Sequence, residues 1–245
     1  MLTALCHNSL RARLATLTML LAPAISTAAE LNTFHAQYVM SYAVFTGDVK
    51  IDLRQEDTPG SYSYKITTKA RGLAKAIMHN KAVEKSQFTI DGNNIKPLSY
   101  HLDDGFSGKE NKTDIKFDWD TGIAHSRYEG ADLSKRIKTG TLDRLSADII
   151  VIMALRAGTE PGGYPIFDGE DVDVYEFTKL GTERIKVPAG KFDTVKYRRQ
   201  RPGSSRSTLI WYAPAQDYLP VRIDQQKDGK TSVTMTATKL RPGTS

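Results

Sequence analysis

In the stretch Phe34-His35-Ala36-Gln37-Tyr38-Val39-Met40-Ser41-Tyr42-Ala43-Val44, apolar or aromatic side chains stand at every second residue from Phe34 to Val44, and His35, Gln37 and Ser41 fall between them. A strand sends successive side chains to opposite faces, so this spacing of two predicts a strand; a helix needs spacings of three and four. Gly47 breaks the run. Val49, Ile51 and Leu53 then alternate with Asp48, Lys50, Asp52 and Arg54, the pattern of a strand with one wet face. Asp57-Thr58-Pro59-Gly60 is a turn signal, after which Tyr62, Tyr64, Ile66 and Thr68 resume the alternation. Three such segments in succession predict an antiparallel meander.

Outward from there the same reading holds. Residues 82–90 and the face Leu98, Tyr100, Leu102 flank the hairpin signal Asp91-Gly92-Asn93-Asn94. Thr113, Ile115, Phe117 and Trp119 lead through Asp120-Thr121-Gly122 to a returning strand at 123–128. Strand character recurs at 165–167, 172–177, 183–187, 192–198, 209–212, 219–223 and 232–238. Residues 72–78 are apolar without period two and read as a helical turn or a loop, and 103–111 reads as a polar loop. One segment is different. Between Asp143 and Ala157, Leu145, Ile149, Ile152, Met153 and Leu155 recur at helical spacing, with Asp143 or Ser146 as N-cap and Gly158 as stop. About a dozen strands and one helix predict a mainly β (β-rich α+β) fold. The expected form is a large curved antiparallel sheet, barrel or half-barrel, packed by helix 143–157 through Leu145, Ile149, Ile152 and Met153. Two smaller sheets divided by that helix are the other arrangement. Residues 30–245 are expected to form a single domain.

The N-terminus has the order of a secretory signal peptide. Arg11 and Arg13 precede an uncharged run from Leu14 to Ala29, which ends in Ser26-Thr27-Ala28-Ala29. The apolar part is short for a membrane span, which needs about 20 residues. Cleavage after Ala28 or Ala29 fits, and residues 1–29 are the expected leader. The lone cysteine, Cys6, precedes the apolar run and would leave with it. The exported part would then have no disulfide, thiolate nucleophile or cysteine-containing metal site. Removing a leader with two arginines and no acid takes the formal charge from +6 to +4, mildly basic. A periplasmic location without a transmembrane span follows, and nucleic acid is not an expected partner.

No catalytic signature is visible. His35, His79, His101 and His125 lack the spacing of a helical zinc motif, and there is no Gly-x-Ser-x-Gly elbow, P-loop or dinucleotide fingerprint. No catalytic residue, metal site or cofactor is therefore assigned. Plentiful carboxylates leave a glycan-active enzyme as an open alternative, since glycosidases need only two in the right geometry. Two features suggest binding. Tyr38, Tyr42, Tyr64, Tyr100, Phe117, Trp119 and Trp211 lie on strands; in a curved sheet they would line a cavity for a lipid or other apolar ligand, or else pack an ordinary core. Lys196, Arg198, Arg199, Arg201 and Arg206 form the densest basic cluster, either a patch for lipid headgroups, an envelope protein or polysaccharide, or a solvated loop.

Several stretches together resemble one family: Leu98-Ser99-Tyr100-His101, Lys116-Phe117-Asp118-Trp119-Asp120-Thr121-Gly122, Pro165-Ile166-Phe167-Asp168-Gly169, and above all Glu183-Arg184-Ile185-Lys186-Val187-Pro188-Ala189-Gly190-Lys191-Phe192-Asp193-Thr194-Val195. Ile210-Trp211-Tyr212 followed by Tyr218-Leu219-Pro220-Val221-Arg222-Ile223 completes the set. This is similar to the bacterial envelope family called domain of unknown function 3108, over roughly residues 34–238. The resemblance implies an exported, β-rich protein and lends no site residue. The leading expectation is a non-enzymatic periplasmic binding or carrier protein, with a structural or accessory envelope protein as the alternative.

Overall fold

The computed structural model describes residues 31–72, 75, 81–106 and 112–243; the expected leader, Cys6, His79 and most of the apolar segment 72–78 lie outside them. Strands β1 Phe34–Tyr42, β2 Phe45–Gln55, β3 Ser61–Arg71, β4 Ala82–Asp91, β5 Asn94–Asp103, β6 Lys112–Asp118, β7 Ile123–Tyr128 and β8 Ala131–Arg136 form one meander. After helix α1 Arg144–Arg156 come β9 Gly163–Phe167, β10 Val172–Val187, β11 Gly190–Gln200, β12 Arg206–Ala213, β13 Leu219–Lys227 and β14 Lys230–Pro242. The two meanders join where β1 pairs with β14, giving one antiparallel sheet of 14 strands with β8 and β9 at its edges. The expected curved sheet is present, and the division into two smaller sheets is not.

The sheet does not close into a barrel by strand pairing, and its edges meet through other contacts. Segment 137–142 runs along the seam: Ile137 N–H donates to Gly122 O (2.9 Å), Leu142 N–H to Pro165 O (2.8 Å), and Phe167 N–H to Leu142 O (2.8 Å). The β9–β10 turn tucks against β6, β7 and β8, where Ser126 Oγ donates to Gly169 O at 2.5 Å and Lys135 of β8 pairs with Asp171. Gly169 has φ +116°, and a Cβ there would lie 2.7 Å from Thr113 Cγ2, so only glycine fits this crossing.

The helix carries the chain from one sheet edge to the other. Its N-cap is Asp143, whose carboxylate accepts from Leu145 N–H and Ser146 N–H, while Ser146 Oγ accepts from Asp143 N–H, a reciprocal cap. The predicted face packs as expected at Leu145, Ile149 and Ile152, but Ala147, Val151 and Leu155 are buried too and Met153 only half so. A helix buried on nearly all sides lies inside its sheet rather than capping it. Two further differences concern strands. β8 is exposed at every residue, and β10 runs without a break through Lys179–Gly181, where a bulge takes up the irregularity.

Candidate functional site

Alternation along the strands decides what faces the helix. Near the β2–β3 and β4–β5 turns the concave face is packed solid with Phe34, Leu53, Tyr62, Phe88, Ile90 and Ile95. Toward the β1–β2 turn the packing opens into a cavity of about 200 Å³ between α1 and the sheet. Its apolar walls are Met40, Val49, Ile51, Ile66, Ile210, Ile223 and Met235, and Leu145 and Ile152 face it from the helix.

Four charged side chains enter the same groove: Glu84 from β4, Arg144 and Asp148 from α1, and Arg199 from β11. Arg144 and Asp148 stand four residues apart and so share a helix face. Arg199 Nη1 donates to Asp148 Oδ1 at 2.8 Å. Arg144 Nε lies 3.7 Å from Glu84 Oε1, which also accepts from Tyr100 Oη at 2.6 Å. Arg144 is enclosed by protein, yet 47% of its side chain meets water, the condition of a side chain inside an open groove. Glu84 holds its guanidinium pKa above the ordinary value despite that enclosure. Burial pushes the Asp148 carboxyl up, with Arg199 opposing and Glu84 adding to the shift. Burial, and then the Asp148 charge, raise the Tyr64 and Tyr212 phenols well above their usual range, so both stay neutral.

The aromatic residues singled out from sequence do not form one surface. Tyr64 lines the groove, Tyr100 braces Glu84 beneath it, and Tyr42 stands 51% exposed at the β1–β2 turn. Tyr38 is buried with its hydroxyl donating to Pro220 O at 2.7 Å. Phe117 stacks on Trp119 (6.0 Å, 9°) and meets Phe167 edge-on, and Trp119 Nε1 donates to Pro97 O at 2.6 Å. Trp211 lies on the outer face under Lys196 Nζ (4.5 Å) and Arg222 Cζ (5.0 Å), its Nε1 donating to Glu183 at 2.8 Å. The basic cluster is not one patch, because most of it is strand and alternate residues part. Arg199 turns inward, Lys196 pairs with Glu183 outside, and Arg201 with Asp173. Arg198 and Arg206 have no ion pair among the described residues. The histidines on described strands bond to neighbours: His35 to Asp52, His101 to Asp114, His125 to Ser134. Among the described residues no three His, Cys, Asp or Glu side chains gather in metal-binding geometry.

Sequence patterning missed Glu84, Arg144 and Asp148. The available signal was the helix itself: Arg144 and Asp148 sit beside Leu145 and Ile152 rather than opposite them.

The family model described as "Protein of unknown function (DUF3108)" matches residues 37–238. The chain belongs to this family. The segment that carried the DUF3108 resemblance makes the β10–β11 turn, where Ala189 N–H donates to Ala237 O at 2.9 Å and Val187 is buried. No curated protein matches the chain. Among solved structures, a β-barrel-like protein of domain of unknown function DUF1849 from Brucella abortus aligns at TM-score 0.54 with 10% identity, over 86% of this chain and 98% of that one, and shares the fold. A protein of YmcC-like fold from Bacteroides fragilis aligns at TM-score 0.40 with 12% identity, over 85% and 95% of the two chains. The Pseudomonas aeruginosa MucA/MucB complex gives TM-score 0.38 at 10% identity over 87% of this chain, which spans 52% of the matched one. Among the described residues no helix is long and apolar enough to cross a membrane.

Proposed function

We propose that this protein is an exported, periplasmic, non-enzymatic binding or carrier protein for an amphipathic ligand with one apolar chain and a polar head. The leader pattern at residues 1–29 supports export, and residues 30–245 would be the working domain. The observation that carries the reading is the groove: an apolar-walled cavity of about 200 Å³ with a water-accessible arginine inside it. Ordinary ligand pockets hold roughly 300–1,000 Å³, so this space suits a segment of one acyl chain. Arg144 would meet the head, because a guanidinium has five donors and the contact to Glu84 leaves most of them over. In this reading Tyr64 would contact the chain, Tyr100 would position Glu84, and Tyr38, Phe117, Trp119 and Trp211 would support the sheet.

Solvent extraction of the protein purified as the cell produces it, followed by mass spectrometry, should release a lipid or fatty acid. Ile223→Trp should fill the groove and abolish binding of a fluorescent acyl probe while the protein still melts cooperatively. An empty protein that also ignores acyl probes would end the proposal. A second reading has one observation in its favour: Glu84 and Asp148 are two carboxylates in one groove, as glycan hydrolysis requires. Each is held by an arginine, and the walls between them are aliphatic. Release of reducing ends from envelope glycan, lost in Glu84→Gln and Asp148→Asn, would favour that reading instead.

A further inference from the structure

The β1–β2 turn is chemically unlike its neighbours. Three two-residue hairpins of this sheet turn on polar and glycine residues, at Gly92-Asn93, Glu129-Gly130 and Asp228-Gly229, and the apolar Pro188-Ala189 turn of β10–β11 is tied down through Ala189 N–H to Ala237 O. Two-residue hairpin turns favour such residues because the backbone takes positive φ there. Here the turn is Tyr42-Ala43-Val44-Phe45, with Ala43 at φ +50°. Val44 is 83% exposed and Tyr42 51%. Among the described residues no buried core cluster includes these side chains, and an apolar tip held in water by a strained alanine does not help the fold.

The surroundings of the tip are basic. Lys69 of β3 stands opposite Asp48 of β2 in the strand register, and Lys227 and Lys230 close the β13–β14 hairpin next to β1. Lys81 lies beside Lys69 and Arg71. Arg71 is bound to Asp48, but Lys69, Lys81, Lys227 and Lys230 have no ion pair among the described residues. The opposite side of the same end carries Asp104, Glu129 and Glu170 in its turns, while Asp171 there is bound to Lys135. This end is also the one toward which the groove opens.

We infer that the β1–β2 tip docks the protein on an anionic lipid bilayer, with Tyr42 and Val44 in the interface and the four lysines on headgroup phosphates. An apolar wedge ringed by lysine is the pairing that holds proteins at anionic interfaces, and the acidic side would tilt the molecule so that the tip lands first. Docking in this pose brings the groove mouth to the lipid surface. The inference rests on the reading of the groove as a lipid site.

Flotation with vesicles of phosphatidylethanolamine and phosphatidylglycerol, against vesicles of phosphatidylcholine alone, tests it. The protein should float with the anionic vesicles only, and added salt should release it. Val44→Asp should weaken association about ten-fold, and Lys227→Gln and Lys230→Gln about five-fold each, with melting temperatures unchanged because all three side chains are exposed. Ile223→Trp should float like the wild type while losing the acyl probe. If the wild type fails to float, or Val44→Asp floats equally well, the docking inference is overturned whatever the groove binds. Retention of a protein partner without vesicle binding overturns it as well. Normal flotation with no groove ligand removes the carrier reading and leaves the docking surface standing.

Discussion

Replacing Asp143 with asparagine should remove a pH dependence from the stability of this protein. Asp143 is fully buried at the start of α1. One carboxylate oxygen accepts from Leu145 N–H (2.8 Å) and Ser146 N–H (2.9 Å), and the other from Ser86 Oγ (2.6 Å). Burial raises its pKa to about 6, against the lowering effect of these hydrogen bonds; in the unfolded chain it is about 3.9. The folded value is the higher one, so the native state keeps a proton that the unfolded state releases between those two values. The stabilisation is complete below about pH 4 and is lost as pH rises through about 6. Two pH units correspond to roughly 3 kcal/mol. Asparagine keeps an acceptor for the two amides, and the Ser86 hydroxyl can turn to accept from its NH₂, but it cannot ionise. The difference in unfolding free energy, wild type minus Asp143→Asn, should therefore fall by roughly 3 kcal/mol between about pH 4 and about pH 7. Urea melts of both proteins at each pH measure it, and the subtraction cancels the other carboxylates. A flat difference, or one that grows with pH, refutes the reasoning. Asp143→Ala should lie about 2–4 kcal/mol below Asp143→Asn at every pH, because two amides and Ser86 lose their partner.

Ile149→Ala and Ile152→Ala should each destabilise by roughly 2–5 kcal/mol in the same melts, since both side chains are buried inside the sheet. Gly169→Ala should lower stability by at least about 1–3 kcal/mol, because its Cβ would press on Thr113 and Tyr128 at the seam. Trp211→Phe should cost about 1 kcal/mol, because Glu183 loses one donor but keeps Lys196 and water, and should leave acyl-probe affinity unchanged, since Trp211 faces away from the groove.

Much of the fold could be read because each strand with a packed face announces it. Phe34 to Tyr38 and Val49 to Leu53 alternate in sequence and alternate in burial. β8 gave no such signal: Ala131-Asp132-Leu133-Ser134-Lys135-Arg136 is an edge strand wet on both faces, held by its ladder to β7, and a backbone ladder leaves no period in side-chain polarity. The break expected between Phe177 and Glu183 fails for a related reason. Exposed residues from Thr178 to Arg184 look like a loop, but β11 pairs with them throughout. Where the two meanders join was equally hidden, because the pairing of β1 with β14 depends on which edges remain free once α1 has crossed the concave face.

The candidate site was harder to read because its decisive residues obey surface rules in sequence. Arg144 and Asp148 are polar residues on an amphipathic helix, and a helix of that kind normally turns them to bulk water. Here the helix lies within the sheet, so its polar face meets the opposite wall, where Glu84 and Arg199 stand in strands that otherwise read as half wet. Two charges of each sign then neutralise one another across an apolar groove. Isolated charges in such a space would carry a heavy desolvation penalty, and pairing removes most of it. That balance also bears on specificity. With Asp148 tied to Arg199, Arg144 is the cation with exposed donors, so an anionic head would have to compete with Glu84 for it. Glu84→Gln should therefore tighten binding of an anionic acyl probe, whereas Arg144→Met should weaken it, each by about five- to ten-fold. Equal affinity in all three proteins would place the head outside the groove and leave Arg144 with a purely structural role.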